Sequence, residues 1–504
     1  MAIEPIYEKI SISGTNTVFG EPFKCECKSA LAMNSASEIL SVTSLAGVFS
    51  SETLDGQVRY NGKTTFYVCY LSTDGEIKKT ECSKDFSGVV KCESAREGFK
   101  SVVNVKTLKT EYEVSGANLN VACMLKPEIE ICIATEKSAL SVGENIVTDP
   151  CEISTTKSLG IKEGMYPIEE EFELSCEIKE VLHQRASAVI TDVQCGVGTI
   201  IVDGQIFLSL ILLQNSEKCS IIRENRTLPY RMEIECEEAM PTLSAIAHVY
   251  EKALKVDVLV DSEKGKSKIT ATINLYFTGE AFVTEAHQLA NDVFSIKEKI
   301  NVARAQVEYL KPGTFINSSS TITCRAGTSE LPIGVNLLTT CAESIEILAK
   351  TQTQKGLQIT GVLTLCAYFI DTDGKPFSRK LEAPFEKEIE LFLDDEVGDV
   401  QIYTCVPRSS ARLVSATEIE LEWESVFMVY AKQLERFSCI TDLQSAGEKA
   451  ECPHAVSVYI PFENEELWSL SKRLNVCPET LVTANPELNF PLTGNERIVV
   501  YRQK

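Results

Sequence analysis

The sequence predicts a mainly β protein: three repeated antiparallel β domains, each a sandwich or partly open barrel, followed by a small βααβ module. Two patterns in its 504 residues predict this. One strand–glycine–strand–turn layout occurs three times, and near the C-terminus the apolar period changes from two to that of a helix and back. An apolar fraction of 44% against a charged fraction of 24% belongs to globular protein, so each segment can bury a core.

The repeats are "VRYNGKTTFYVCYLSTDGEIKKTECSKDF", "IIVDGQIFLSLILLQNSEKCSIIRENRTLPY" and "LQITGVLTLCAYFIDTDGKPFSRKLEAPF". Gly62, Gly204 and Gly361 match at intervals of 142 and 157 residues, too long for a solenoid and suited to a triplicated domain. The runs after them are rich in β-branched and aromatic side chains. A second turn falls at Gly75, Glu217 and Gly374. "STDG" and "DTDG" signal tight turns because Asp tolerates turn geometry and Gly supplies a positive φ. Phe86, Tyr230 and Phe385 follow at matching places. Each copy closes on an alternating run, "LNVACML", "ITATINLYF" or "IELEWESVFMVY". This layout predicts Gly62, Gly204 and Gly361 at equivalent turns. "EEAMPTLSAIAHVYEKA" is open to a short helix or to irregular strands.

Polar joints separate the copies: "ATEKSALSVGENIVTDPCEISTTKS", "EAHQLANDVFSIKEKINVARAQ" and "LERFSCITDLQSAGEKAECPH". They delimit domains over residues 1–135, 151–290 and 297–432, and a module over 454–504. "YEKISISG" at Tyr7 and "KEKINVAR" at Lys297 match as lead-in strands. The repeated layout resembles the SPOCS domain of clostridial and related spore-forming bacteria, which implies a part in spore-coat assembly.

In the last segment "AVSVYI" alternates as a strand. Asn464 is placed to cap a helix, with Glu465 and Glu466 suiting its positive end. Leu467, Leu470 and Leu474 share one helical face, Pro478 opens a second helix, Asn485-Pro486 ends it, and "RIVVY" closes as a strand. With Leu467-Trp468, Val476, Leu481 and Ile498-Val499-Val500, this order resembles the LysM module. That family grips glycan between the loop before its first helix and the loop after its second. Its Gly-Asp-Thr is replaced here by Asn464, Glu465 and Glu466, so the resemblance implies a retained scaffold with an altered ligand. By family groove position, Asn464, Glu465, Glu466, Trp468, Asn485 and Pro486 are the candidate protein-binding residues. For Trp468, a core anchor and a partner contact are equally open, since Trp is enriched at binding hot spots.

SPOCS-like copies joined to a LysM-like module resemble clostridial spore-coat morphogenetic proteins of the SipL type. The resemblance implies a non-enzymatic adaptor in the mother-cell cytosol at the forespore surface. Its implied partner is the coat basement-layer ATPase, stage four sporulation protein A. A carbohydrate-binding protein of the cell wall or spore cortex is the alternative; an intact glycan loop and an export signal would favour it.

The remaining chemistry is read by exclusion. A net charge of −23 is repelled by phosphate backbones and anionic lipid. "MAIEPIYEKISISG" lacks the pattern of a secretory signal, and "IFLSLILL" is too short to span a bilayer. Nineteen cysteines, scattered and without C-x-x-C, read as reduced thiols of a cytosolic chain. "GQVRYNGKTT" is close to a phosphate loop, but five residues separate its glycines instead of four and a strand follows. "CGVGTII" lacks the third glycine of a dinucleotide site. His183, His248, His287 and His454 have no neighbour at ligand spacing, which supports neither a metal nor a His-activated nucleophile. Acidic runs such as "PIEEEFE" and "FLDDEVGD" read as solvated faces. No catalytic residue, cofactor or metal is expected.

Overall fold

The computed structural model describes residues 3–32, 36–115, 118–216, 220–391, 397–450 and 455–501. Glu217, His454 and residues 392–396 of the "FLDDEVGD" run lie outside them. Three meanders carry the repeated segments. They are β3 (Ala36–Leu54), β4 (Gln57–Ser72) and β5 (Ile77–Lys91); β10 (Ile178–Cys195), β11 (Thr199–Gln214) and β12 (Ile221–Glu235); and β16 (Asn336–Thr353), β17 (Gly356–Ile370) and β18 (Pro376–Glu390). Each packs on a second antiparallel sheet. In the first copy this is β7 (Asn118–Glu144) paired with β1 (Glu4–Phe19), β2 (Phe23–Ala32) and β6 (Ser101–Ser115). In the second it is β14 (Lys266–Phe294) paired with β8 (Val147–Ser158), β9 (Lys162–Leu174) and β13 (Ser244–Asp261). In the third it is β20 (Glu418–Glu448) paired with β15 (Glu298–Gly327) and β19 (Val397–Ser415). Among the described residues no sheet closes on itself, so the architecture is a set of sandwiches. The segment open to a helix forms β13.

The shared glycines are not at turns. Each lies in mid-strand, directly opposite the shared aromatic: Gly62 faces Phe86, Gly204 faces Tyr230 and Gly361 faces Phe385. Along β4, β11 and β17 alternate side chains point inward, and the glycine takes one inward place, which the ring fills instead. A Cβ on Gly204 would stand 2.2 Å from the Val189 carbonyl oxygen and 2.3 Å from the Tyr230 hydroxyl. The same crowding meets Gly62 and Gly361. On the other side, a bulge follows each glycine's partner: after Val48, Ile190 and Ile347 one extra residue enters the strand. The true turns are at Gly75 and Gly374, with φ of +83° and +79°. There Asp74 accepts the Glu76 N–H at 3.1 Å, and Asp371 accepts the Lys375 N–H at 2.7 Å.

The polar joints are strands too. The ends of β7, β14 and β20 run past the sandwiches and pair with β1, β8 and the start of β15. Their inner side chains pack together: Ala139, Leu289 and Cys439 in one layer with Ile10 and Val307, then Leu140, Ala290 and Ile440 in the next. These positions recur every 150 residues, so the three ribbons form a three-sided stalk. The lead-in match is out of step by seven residues: Tyr7 faces Leu140, and the residue facing Ile440 is Arg304, not Lys297.

At the opposite end the meanders meet. Leu40, Cys69 and Leu71 of the first copy pack with Leu182, Ile211 and Leu213 of the second and Cys341, Cys366 and Tyr368 of the third. Cys69, Ile211 and Tyr368 each stand seven residues after the shared glycine. The copies are therefore arranged around a pseudo-threefold axis.

Gly204→Ala is expected to destabilise the chain by about 1–3 kcal/mol, because a fixed backbone carbonyl blocks the new methyl. Gly327→Ala, where a Cβ meets nothing within 4 Å, is the matched control and should change little. Urea denaturation of the two variants checks the difference.

Candidate functional site

The C-terminal module contains β21 (Val456–Tyr459), α1 (Leu467–Leu474), α2 (Pro478–Ala484) and β22 (Ile498–Tyr501), with the two strands antiparallel. Leu470, Leu474, Val476, Leu481, Leu492, Ile498 and Val500 form its core. The residue that starts α1 is Glu466, not Asn464, and it makes no side-chain cap; Asn464 sits before it in the left-handed region at φ +59°.

Three of the six candidate residues are engaged inside the chain. Glu465 is buried and accepts two hydrogen bonds from Arg473, at 2.8 and 2.7 Å, and one from the Phe462 N–H at 2.9 Å. The Arg473 bonds hold its carboxyl below the ordinary range. Asn485 is buried and ties α2 to β22, donating to the Leu481 and Val499 carbonyls at 2.9 and 2.7 Å and accepting the Val499 N–H at 2.7 Å. Trp468 leans edge-on against Phe294 of β14, ring centres 5.3 Å apart, and its indole N–H donates to Asp292 at 2.9 Å. Lys472 donates to the same carboxylate at 2.8 and 2.6 Å, and Lys449 donates to Asn475 at 2.5 Å. Trp468 thus fastens the module to the end of the stalk. Asn464, Glu466 and Pro486 are exposed.

The residues that sequence reasoning missed lie on the outer face of the small sheet. Val456, Val458 and Ile460 are 53%, 61% and 69% exposed, beside Phe462 at 65% and Tyr501 at 57%. Tyr501 stands opposite Val456 in the ladder. The signal was present: in "AVSVYI" the more apolar phase is Val-Val-Ile, yet the module core takes the phase containing Tyr459.

On the axis, Glu130, Glu280 and Tyr430 are equivalent positions 150 residues apart, and all three are buried. Glu130 accepts from Tyr250 at 3.0 Å and lies 3.4 Å from His248, while Glu280 accepts from Thr15 and Ser158. Buried Lys432 donates to the Thr15 carbonyl. Burial raises both carboxyls above the ordinary range and pushes His248 down to about 3. Next to this cluster is a cavity of about 500 Å³, lined by strands of all three copies and by Lys106, Arg185, Glu251 and Glu343. Glu343 pairs with Lys380 at 2.9 Å and Arg185 donates to the Ala342 carbonyl at 2.7 Å. Its charges are of both signs and single out no ligand.

His287 has a partnership that spacing did not foresee. Thr155 Oγ1 lies 2.9 Å from His287 Nε2, and His287 Nδ1 lies 2.7 Å from Glu8. The order matches a hydrolase triad, but Thr155 has 0% exposure, so no substrate reaches it. The three groups tie β8, β14 and β1 together within the stalk. Among the described residues no group of three His, Cys, Asp or Glu has metal-holding geometry, and no helix is long and apolar enough to cross a membrane. No family model, curated protein or solved structure matches the chain.

Two outcomes are expected. Burial works to raise the Asp292 carboxyl, but the bonds from Lys472 and Trp468 hold it below its ordinary value. Asp292→Ala should therefore release the module, seen as a red shift and greater iodide quenching of Trp468 emission against the buried Trp423. Glu280 has the opposite sign. A carboxyl raised by folding stabilises below its unfolded pKa, and that contribution is lost as pH rises through the folded value. The melting temperature of Glu280→Gln should gain on the parent as pH rises above about 4, as thermal melts from about pH 4 upward will show.

Proposed function

We propose that this chain is a non-enzymatic adaptor of spore-coat assembly, acting in the mother cell at the forespore surface. Its three SPOCS-like copies form a rigid scaffold, and its LysM-like module holds the coat basement-layer ATPase, stage four sporulation protein A. The observation that carries the reading is the outward apolar face of Val456, Val458, Ile460, Phe462 and Tyr501 on and beside the small sheet. Apolar side chains at the centre of a patch, with polar groups at its rim, are what a protein partner covers. A glycan groove is supported less: Glu465, at a family groove position, turns inward to Arg473 and does not face a ligand.

The module's docked Trp468 changes which residues carry the contact. The outer sheet face, with exposed Glu466 and Asn464 nearby in the chain, takes the part first given to the groove. Co-purification of the ATPase with the full chain and with a chain ending near residue 450 tests the reading. The full chain should retain the partner and the shorter one should lose it. Val458→Asp with Ile460→Asp should weaken binding at least tenfold, about 1.4 kcal/mol, while circular dichroism stays unchanged. Full-strength partner binding by that variant, together with tight binding of peptidoglycan by the parent, would favour the carbohydrate-binding alternative.

A further inference from the structure

All seventeen described cysteines are free thiols, and four of them converge between the two sheets of the first copy. Cys25 and Cys27 point to the same side of β2, two residues apart. Cys25 stands directly opposite Cys123 of β7. Cys27 donates to the Ser83 carbonyl of β5 at 3.9 Å and touches the thiol of Cys82 beside it. Residues directly opposite across an antiparallel ladder have Cα atoms about 4.5–5.5 Å apart, inside the roughly 4.4–6.8 Å that a disulfide spans. Cys25 and Cys123 are buried, whereas Cys27 and Cys82 are half-buried at the seam where β2, an edge strand, meets the meander.

We propose that these four thiols are an oxidation site, which hydrogen peroxide converts into a Cys27–Cys82 and a Cys25–Cys123 disulfide. In each step two S–H bonds and the peroxide O–O bond break and one S–S bond forms. The thiols give up two electrons and two protons, and the peroxide leaves as two waters. The Cys25 thiol suits the attacking role: the thiol of Cys123 opposite it lowers it below the ordinary thiol range. The first bond joins the two sheets across the sandwich, and the second joins edge strand β2 to β7 within its own sheet. Both close long loops, so oxidation stabilises the first copy through its unfolded state.

The chain carries its own comparison. Cys341 and Cys366 are also directly opposite, on β16 and β17, but are only 2% and 3% exposed at the three-copy junction. Cys25 and Cys123 are as buried, at 4% and 1%, but they lie beside the half-buried Cys27 and Cys82; among the described residues no half-buried thiol adjoins Cys341 and Cys366, which stay reduced while the chain is folded.

The test is a disulfide map of the full chain after peroxide treatment, with alkylation and trypsin under non-reducing conditions. Trypsin releases Cys25 and Cys27 together on peptide 25–28. The expected product is that peptide bridged both to peptide 80–84 and to the peptide carrying Cys123. Its formation should raise the melting temperature, and dithiothreitol should reverse both changes. Cys82→Ser should keep only the Cys25–Cys123 bond and leave Cys27 open to a sulfenic-acid trap. Three results overturn the proposal: a Cys25–Cys27 ring, bridging of Cys341 to Cys366 before the first-copy pairs, or no disulfide in folded protein.

Discussion

The second halves of β4, β11 and β17 are apolar on both faces, and the rest of the fold answers that constraint. In β11 the run Leu210–Ile211–Leu212–Leu213 is buried side chain after side chain. One phase fills the core of its own copy, and Ile211 and Leu213 face the junction with the other copies. A two-layer sandwich can cover only one face of such a strand. At about 25 cal/mol for each Å² of apolar surface, leaving the second face in water would cost several kcal/mol per copy. Three copies closing around an axis remove that cost together.

Closing the axis at the meanders fixes what happens along the rest of it. Strands that converge at one end bring their extensions together at the other, so the polar joints become stalk ribbons instead of linkers. Between the two apolar layers lie Glu130, Glu280, His248 and Lys432, whose hydrogen bonds are supplied by side chains of all three copies. A buried polar layer between apolar ones defines register: sliding a copy along the axis would leave carboxyls without donors. The stalk in turn presents Asp292 and Phe294 to Trp468, so the module is held at a set position with its outer sheet face uncovered.

Much of this was legible in the sequence. Strand content, the threefold repeat and the order of the C-terminal module follow from period-two runs and from the matched Gly62, Gly204 and Gly361. The place of those glycines was not legible, because a glycine between strand-forming residues reads the same at a turn and beneath an aromatic ring. Only the pairing of Gly204 with Tyr230, twenty-six residues on, separates the two. The joints were misread because each ribbon buries one narrow stripe, such as Ala139 and Leu140, while its outer faces stay polar. Glu465 and Asn485 carried the family groove positions but not their orientation, which Arg473 and Val499 decide. The outer face of β21 was visible as Val456, Val458 and Ile460, yet the ordinary rule that the more apolar phase points inward sends it the wrong way.

The central claim is that shared burial at the junction makes the three copies one cooperative body. Hydrogen exchange of an Ile211→Ala variant tests it most directly, since Ile211 is fully buried there and belongs to the second copy alone. The account predicts that protection falls together in β4, β11 and β17. Loss of protection confined to β10, β11 and β12, with the first and third copies unchanged, would contradict it.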